Sequence, residues 1–201
     1  MIVIGLTGGI GSGKSEVSRV LNELGAEIID ADRLGHEAYQ PHTETWEALV
    51  AAFGEGILRP GGEVDRKALG SIVFSSPDAL AQLNAIVHPR MREMMRERLD
   101  ERSAQGVKVV VIEAAVLLEA GWDSLVDEVW VTTATEESVV QRLSQRNNLS
   151  EEEIRKRINS QLKNEERVRR ATVVIKNSDG LKELRQCVLE LWDDRVKGRL
   201  N

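Results

Sequence analysis

Near its start the chain reads Val3-Ile4-Gly5-Leu6-Thr7-Gly8-Gly9-Ile10-Gly11-Ser12-Gly13-Lys14-Ser15, and this stretch decides the fold. The apolar run from Ile2 to Leu6 has the length of a β-strand, and a helical pattern follows the stretch. The alternative, a flexible glycine-rich turn, does not account for a strand on one side and a helix on the other. The spacing Gly-x-x-x-x-Gly-Lys-[Ser/Thr], which marks a phosphate-binding loop, is fitted by Gly8, Gly13, Lys14 and Ser15.

The chemistry of phosphate binding requires this spacing. Several backbone N–H groups must surround the phosphate, and glycine lets the chain wrap closely enough because it has no Cβ. Lys14 supplies a positive charge for the β- and γ-phosphates, and the hydroxyl of Ser15 can bind Mg²⁺. The helix that follows contributes its free N–H groups and the positive end of its dipole to the same phosphate site. The motif thus predicts that a nucleotide binds, but not which reaction follows.

Composition limits the classes of protein to which the chain can belong. Its 201 residues include 33 acidic and 27 basic side chains, which gives a net charge of −6 and argues against general nucleic-acid binding. Cys187 is the single cysteine, so no intramolecular disulfide is possible, and its place on an apolar helical stripe favours a core role over a nucleophile. Because neither a signal peptide nor a membrane-length apolar run is visible, we expect a soluble cytoplasmic protein with no membrane partner.

Two aspartates follow the predicted second strand, in the sequence Ile28-Ile29-Asp30-Ala31-Asp32. The carboxyl ends of strands are where open α/β sheets bind ligands. One carboxylate could therefore act as a general base for a hydroxyl while the other orients Mg²⁺ through water. The alternative is that Asp32 is the N-cap of the next helix, predicted over 33–39.

Residues 33–105 are predicted to be mostly helical, with a break or kink at His88-Pro89. Five arginines flank an apolar methionine stripe beyond this point. They form either a solvated helix face or a binding surface in which Arg90 or a neighbour reaches an anionic substrate. For His88, a substrate contact and a cap of the proline turn remain equal alternatives.

An acidic residue, Glu113, ends the continuous apolar run Val107 to Ile112. Such a run is typical of a central parallel strand buried on both faces. Its end is the position of the Walker-B carboxylate in nucleotide-binding proteins, although that residue is usually aspartate. The sequence leaves open whether Asp30, Asp32 or Glu113 lies nearest to Mg²⁺.

Residues 136–170 are predicted to form a charged pair of helices with a narrow apolar stripe at Ile154, Ile158 and Leu162. The pair Ser150 and Glu153 predicts a capping box at the second helix. A narrow stripe favours a mobile lid, and the alternative is a solvated surface element.

A lid has a chemical purpose in a kinase, because an exposed γ-phosphoryl group would be lost to water. Two arginines of the same region, Arg142 and Arg146, could stabilise the equatorial oxygens of a phosphoryl group in transfer.

Five predicted strands joined by helical crossovers indicate an α/β protein with the P-loop NTPase fold, a five-stranded parallel sheet with helices on both faces. We expect one domain over 1–201. Its core would comprise 1–32, 106–135 and 171–201, with a helical substrate-binding insert at 33–105 and the helical lid at 136–170. No Asn-Lys-x-Asp motif for guanine is present, which makes a GTPase switch improbable.

From end to end, the chain resembles the dephospho-CoA kinase family. The resemblance rests on the loop Thr7–Ser15 and on further short motifs along the chain, which are Ile29-Asp30-Ala31-Asp32, His88-Pro89, Leu117-Leu118-Glu119, Gln141-Arg142-Leu143 with Arg146, Arg157-Ile158 with Gln161, and Val174-Ile175 with Asn177.

Two departures concern local contacts rather than the loop. Ala115-Val116 stands where the family often has proline, and Ala171-Thr172 stands where it often has Ala-Asp.

The resemblance implies ATP-dependent phosphorylation of the ribose 3′-hydroxyl of dephospho-CoA, the last step of CoA synthesis. It implies ATP and Mg²⁺ as cofactors, Asp32 as the group that accepts the hydroxyl proton, and Lys14 with Arg142 as the groups that neutralise the moving phosphoryl. Mg²⁺ would bind Ser15, and the acceptor would contact Asp32, His88 and Leu117. The residues expected to contact ATP are Gly9, Gly11, Ser12, Gly13, Lys14, Ser15, Glu16, Arg142 and Asn177.

Two other functions compete with this interpretation. A nucleoside or nucleotide monophosphate kinase would share the architecture and differ in its acceptor. A non-catalytic protein that senses nucleotides would keep the loop as a switch, but Asp30 and Asp32 argue against it because a sensor needs no base. For the assembly state we expect a monomer or a weak homo-oligomer.

Overall fold

A five-stranded sheet forms the centre of the computed structural model, which describes residues 1–147, 150–177 and 180–200. The strand order is β2-β3-β1-β4-β5, and the registers that join β1 to β3, β1 to β4 and β4 to β5 are parallel. The predicted α/β class and parallel sheet are therefore confirmed. The strands are β1 (Ile2–Gly8), β2 (Glu27–Asp30), β3 (Val109–Glu113), β4 (Glu128–Thr133) and β5 (Val173–Lys176).

β1 is the central strand, and all seven of its residues are buried. Its neighbours β3 and β4 are likewise buried except for their last residues, as expected for strands covered on both faces. The register pairs Leu6 of β1 with Glu113 of β3, and Gly8 with Thr132 of β4. The loop that follows Gly8 therefore emerges at the carboxyl edge of the sheet, between the ends of β3 and β4.

Helices make up most of the remaining structure. The first half of the chain contains α1 (Lys14–Glu23), α2 (Ala31–Ala38), α3 (Glu44–Phe53), α4 (Arg66–Val73) and α5 (Pro77–Ala104). The second half contains α6 (Glu136–Asn147), α7 (Glu151–Asn159), α8 (Asn164–Arg169) and α9 (Leu181–Arg195), with short 3₁₀ turns at Glu55–Ile57, Trp122–Leu125 and Lys197–Arg199.

The chain divides into two compact units, one of residues 1–29 with 101–201 and the other of residues 30–100. In the first unit, the helices α1 and α9 share a hydrophobic cluster with the strands. Leu21 of α1, Val188 of α9 and Trp130 of β4 are fully buried in it, whereas Cys187 lies at its margin and is partly buried. This cluster fixes α1, and hence the phosphate loop before it, on the sheet.

The second unit is helical, as predicted, but its longest helix differs from the prediction. Pro89 lies inside α5, which continues from Pro77 to Ala104 without a break. Of the two predicted alternatives, a break or a kink, the break was wrong, because the buried stripe of Val87, Met91 and Met95 continues through the proline. Packing along this stripe compensates for the hydrogen bond that proline removes, a loss of about 3 kcal/mol or more in a helix interior.

Within the same unit, α2 lies on α5. A Cβ on Gly35 would be 3.4 Å from Cε of Met91, and Arg98 forms an ion pair of 2.8 Å with Glu37.

Within the described residues, no helix combines the length and the apolar character needed to cross a membrane.

Candidate active site

The phosphate loop connects β1 to α1 through a turn that only glycine can form without strain. Gly13 has φ = 97°, and a Cβ added there would collide with Nδ2 of Asn177. A Cβ on Gly8 would collide with Oγ1 of Thr132. The sequence places glycine at both positions because the backbone runs against its neighbours there.

Hydrogen bonds from the surrounding elements hold the outer side of the loop. Ser12 Oγ lies 2.7 Å from Thr132 Oγ1, and Asn177 Nδ2 donates to the carbonyl of Ser12 at 2.9 Å. On the preceding turn, the N–H of Ile10 donates to Oε1 of Gln161 at 2.8 Å. The polar groups on this side of the loop are thus occupied by protein.

The inner side of the loop is left for a ligand. Within the described residues, the backbone N–H groups of Gly11, Gly13, Lys14 and Ser15 donate to no protein acceptor. Gly13, the N-cap of α1, has no side chain to cap the helix. Free N–H groups in a glycine-rich loop and at the helix N-terminus that follows it form a site for an anion, and the glycines leave space for it.

A charged pair stands beside these N–H groups. Lys14 Nζ donates to Glu113 Oε1 at 2.6 Å, and the two side chains are 16% and 15% exposed. Glu113 is the last residue of β3, the position at which the sequence predicted a Walker-B carboxylate. Ser15 lies next in α1 and is exposed, so its hydroxyl is accessible to a cation.

Arg142 of α6 lies on the same loop, where it acts as a scaffold. Its Nη1 donates to the carbonyl of Gly11 at 3.4 Å, and its Nη2 donates to the carbonyl and Oδ1 of Asn177 at 2.8 and 3.1 Å. Both residues were predicted to bind ATP, and the structure brings them together at the loop. The side chain of Arg146, the second predicted arginine, lies outside the described residues.

Glu16, also predicted to contact ATP, lies in the first turn of α1 and pairs with Arg19. The hydrogen bond from Arg19 lowers the pKa of Glu16. Leu117, predicted to contact the acceptor, is fully buried beside Gly5, a position that favours packing beneath the loop.

In the second unit, the structure separates the roles of the two aspartates. Asp30 is the N-cap of α2, since its Oδ1 accepts the N–H of Arg33 at 3.1 Å. The alternative that Asp32 caps this helix was wrong. Asp32 instead lies in the first turn of α2 and is exposed, one turn before His36. Its carboxylate is therefore available for other chemistry.

Two histidines of the second unit are partly buried. Burial and then the charge of Arg66 lower the pKa of His36, while the carboxylates of Asp32 and Asp30 act in the opposite direction. Burial also lowers the pKa of His88, which lies in α5 directly before Pro89. His88 is therefore not a turn cap, because no turn forms at this position. Contact with the acceptor remains a prediction.

The predicted lid region begins with a small apolar cluster of its own. Val139, Leu143 and Ile154 are buried together, and Ile10 of the loop packs against them. The predicted capping box of Ser150 and Glu153 at the start of α7 is confirmed. The contact with Ile10 connects this region directly to the phosphate loop.

Sequence reasoning assigned no role to three residues that contact the loop. Gln161 enters the sequence analysis only as part of a family motif, Arg167 only as one of the charged residues of the predicted lid region, and Asn164 not at all. In the structure all three approach Gly9, where a Cβ would be 3.5 Å from Gln161 Oε1 and 3.7 Å from both Arg167 Nη1 and Asn164 Oδ1. No local sequence pattern distinguishes Arg167 from the exposed arginines around it.

The site has the composition of a P-loop kinase donor site, and comparisons with known proteins agree. A family model described as dephospho-CoA kinase matches residues 2–183. The dephospho-CoA kinase of Geobacter sulfurreducens is 49% identical over 195 residues, which cover 97% of this chain and 99% of the relative. That of Dehalococcoides mccartyi is 43% identical over 197 residues, covering 98% of this chain and 99% of the relative.

Solved structures give the same result for the fold. The dephospho-CoA kinase from Campylobacter jejuni superposes with a TM-score of 0.74 at 28% identity, covering 98% of each chain. A shikimate kinase from Acinetobacter baumannii shares the fold at a TM-score of 0.56 and 18% identity, over 98% of this chain and 96% of its own. The chain therefore belongs to the dephospho-CoA kinase family.

Proposed function

We propose that the protein transfers the γ-phosphoryl group of ATP to the ribose 3′-hydroxyl of dephospho-CoA, which yields CoA and ADP. The observation that carries this proposal is the set of four unpartnered N–H groups at the start of α1, with Lys14 beside them. A kinase of this family needs such a site for the β-phosphate of its donor. The family supplies the identity of the acceptor.

Binding of the donor uses the inner side of the loop. The N–H groups of Gly11, Gly13, Lys14 and Ser15 surround the β-phosphate, and Nζ of Lys14 turns from Glu113 toward the β- and γ-oxygens. Gly9, Ser12 and Glu16 complete the proposed contacts. Arg142 and Asn177 bond to the carbonyls of Gly11 and Ser12, and we propose that both also contact the nucleotide. Arg142 also neutralises charge on the moving phosphoryl group.

The residues at the loop also fit Mg²⁺. Within the described residues, no cluster of three or more His, Cys, Asp or Glu side chains could hold a metal by itself. Mg²⁺ typically binds through one or two protein oxygens together with phosphates and waters, so a dedicated cluster is not required. The exposed hydroxyl of Ser15 would be the protein ligand, and Glu113 would orient its waters. When bound, the ion neutralises charge on the β- and γ-phosphates.

Asp32 is proposed as the general base for the acceptor. Its carboxylate accepts the proton of the 3′-hydroxyl as that oxygen forms a bond to the γ-phosphorus. The bond between the γ-phosphorus and the bridging oxygen to the β-phosphate breaks, and the electron pair leaves with ADP. The freedom of Asp32 from the capping role, which Asp30 fulfils, supports this assignment.

Acceptor contacts are proposed for His88 and Leu117, and the helical insert at 33–105 would carry most of the acceptor site. Residues 136–170 would act as the lid that excludes water from the phosphoryl group. A cytoplasmic location and a monomeric or weakly associated state remain predictions. The runner-up function, a nucleoside or nucleotide monophosphate kinase, differs from this proposal only in its acceptor.

An acceptor screen tests the proposal. The purified protein is incubated with Mg-ATP and either dephospho-CoA or a panel of nucleosides and nucleoside monophosphates, and ADP and phosphorylated product are quantified. We expect the highest kcat/KM with dephospho-CoA, with phosphate on the ribose 3′ position of the product. Faster turnover of a nucleoside monophosphate would mean that this compound, and not dephospho-CoA, is the acceptor. Tight ATP binding without any product would favour the nucleotide sensor.

A further inference from the structure

The segment between α7 and α8 lies on the first turn of the phosphate loop. Oε1 of Gln161 accepts the N–H of Ile10 at 2.8 Å, and this bond joins residues 151 positions apart in the chain. The same oxygen, with Nη1 of Arg167 and Oδ1 of Asn164, surrounds the space where Gly9 would carry a side chain. The loop therefore has a polar wall beside Gly9 and Ile10, in addition to its contacts with Arg142 and Asn177.

Arg167 supports this wall from below. Its side chain is only 2% exposed, its Nη1 donates to the carbonyl of Leu162, and its Nη2 lies 3.4 Å from Oε1 of Glu119. Its Nε is buried, and none of the residues that the structure describes is a hydrogen-bond partner for it. Burial lowers the pKa of the guanidinium, and Glu119 only partly compensates. Burial of a guanidinium whose charge is only partly paired costs free energy. We therefore expect Arg167 to have a role in positioning its neighbours.

The base of the wall is fixed to the sheet. Arg170, which follows α8, donates to the carbonyl of Leu118 at 3.1 Å and to Asp123 at 2.7 Å. Arg167 reaches Glu119 in the same segment. α8 is thereby fastened to the residues that follow β3, and the Leu162 carbonyl that Arg167 holds comes directly after Gln161. The Gln161 amide thus presents its oxygen from an anchored backbone.

We propose that Gln161, seated by Arg167, is a positioning residue of the donor site. It fixes the N–H of Ile10, and with it the first turn of the loop, so that the N–H groups of Gly11 and Gly13 face the β-phosphate. This inference rests on the proposed phosphate-binding role of the loop and assigns the segment between α7 and α8 to the donor site. Gln161 acts through the backbone and does not touch the phosphate.

The size of the effect follows from the surroundings of the bond. A cleft of about 360 Å³ opens beside Gly9, Ile10 and Gln161, so water can reach the N–H of Ile10 if the amide is removed. The loss is then that of one positioned hydrogen bond, roughly a two- to tenfold loss of affinity, rather than a collapse of the loop.

The test compares Gln161→Met, which keeps the length of the side chain and removes the acceptor, with Gln186→Met as the matched control. Gln186 is exposed on α9, where its side chain bonds to Glu190 and to no other described residue. Mg-ADP affinity is measured by titration calorimetry, and the thermal midpoint is measured without nucleotide. We expect Gln161→Met to weaken Mg-ADP binding about two- to tenfold and to raise KM for ATP. The thermal midpoint and KM for dephospho-CoA should match those of the control.

A double-mutant cycle with Arg167→Lys tests the second half of the inference. If Arg167 acts by seating Gln161, the losses in Mg-ADP affinity are non-additive, and Arg167→Lys adds little once Gln161 is methionine. Wild-type Mg-ADP affinity in Gln161→Met, or equal losses for ATP and dephospho-CoA, would overturn the positioning role. Additive losses in Mg-ADP affinity would mean that Arg167 does not act through Gln161. The ADP measurement needs no acceptor, so a wild-type protein that fails to phosphorylate dephospho-CoA refutes the proposed function and leaves this test in force.

Discussion

Lys14 Nζ and Glu113 Oε1 are 2.6 Å apart, and only about a sixth of either side chain is exposed to solvent. The lysine that the loop offers to phosphate is thus already held by a carboxylate from the end of β3. A carboxylate in this position has two effects. It keeps the lysine extended over the loop, and it competes with a phosphate for the same charge.

Replacing this carboxylate by an amide separates the two effects. Glu113→Gln should bind ADP without Mg²⁺ at least as tightly as the wild type, because the competitor of the phosphate is gone. Its kcat should fall by about tenfold or more, since the proposed partner of the Mg²⁺-bound waters is lost. Calorimetry with and without Mg²⁺, together with steady-state kinetics, measures both quantities. Glu137→Gln, an exposed change on α6, is the control.

Two results would contradict this account. A loss of metal-free ADP affinity would mean that Glu113 only positions the lysine. An unchanged kcat would mean that the Glu113 carboxylate has no role in the reaction.

Asp32→Asn tests the proposed base. Asparagine preserves the shape of the side chain but cannot accept the proton, so turnover should fall by roughly 10²- to 10⁴-fold. Binding of Mg-ATP should change little, and α2 should stay intact because Asp30 caps it. The matched control is Asp30→Asn, in which the amide oxygen can still cap the helix. Single-turnover kinetics and ATP titration distinguish chemistry from binding, and wild-type turnover in Asp32→Asn would disprove the base assignment.

Asp30 and Asp32 illustrate how much of the site could be predicted from the sequence. The strand, the glycine spacing and the helix that follow one another from Ile2 to Ser15 obey local rules, and the structure has each of them. Two aspartates two positions apart fit either a cap or a base, and which one caps depends on whether α2 begins at residue 31 or 33. That difference lies within the usual uncertainty of a helix boundary.

Longer-range features could not be predicted in this way. Arg167 has the same local surroundings as its exposed neighbours, and its burial depends on Glu119, 48 positions earlier. The continuity of α5 through Pro89 likewise depends on apolar packing on both sides of the proline. Arg142 was predicted at the site, but its bonds to Gly11 and Asn177 join three separate parts of the chain. Contacts of this kind carry no periodic signal in the sequence.

Gly13→Ala should abolish nucleotide binding while the rest of the protein stays folded. The methyl group would collide with Nδ2 of Asn177, and φ = 97° is unfavourable for alanine. Relief of the collision requires movement of the N–H groups of Gly13 and Lys14, which the phosphate needs. Gly25→Ala, with φ = 101° and no atom near its Cβ, is the control for backbone strain alone. If Gly13→Ala bound ADP as well as Gly25→Ala, the close fit of the loop against Asn177 would be irrelevant to the site.

The partly buried histidine of α5, His88, makes the free energy of unfolding depend on pH. Burial lowers the pKa of His88 below its ordinary value of 6.5, so the folded protein keeps this ring neutral under conditions in which the unfolded chain binds a proton. Because the unfolded state then binds more protons, the free energy of unfolding falls as pH drops below about 6.5, toward the lowered pKa. Above pH 6.5 both states are neutral, and His88 contributes no pH dependence. Urea unfolding at pH 7.5 and 5.5 measures the effect.

His88→Gln should therefore lose less free energy of unfolding between pH 7.5 and 5.5 than the wild type does. His36, whose pKa is also lowered, leaves part of the dependence in place. The exposed His42, whose ring centroid lies 5.5 Å from that of Trp46, provides His42→Gln as a matched control that keeps the partly buried ring of His88. The same loss of stability in His88→Gln as in this control would mean that the ring at position 88 is protonated in the folded protein, and burial could then not be the dominant influence on it.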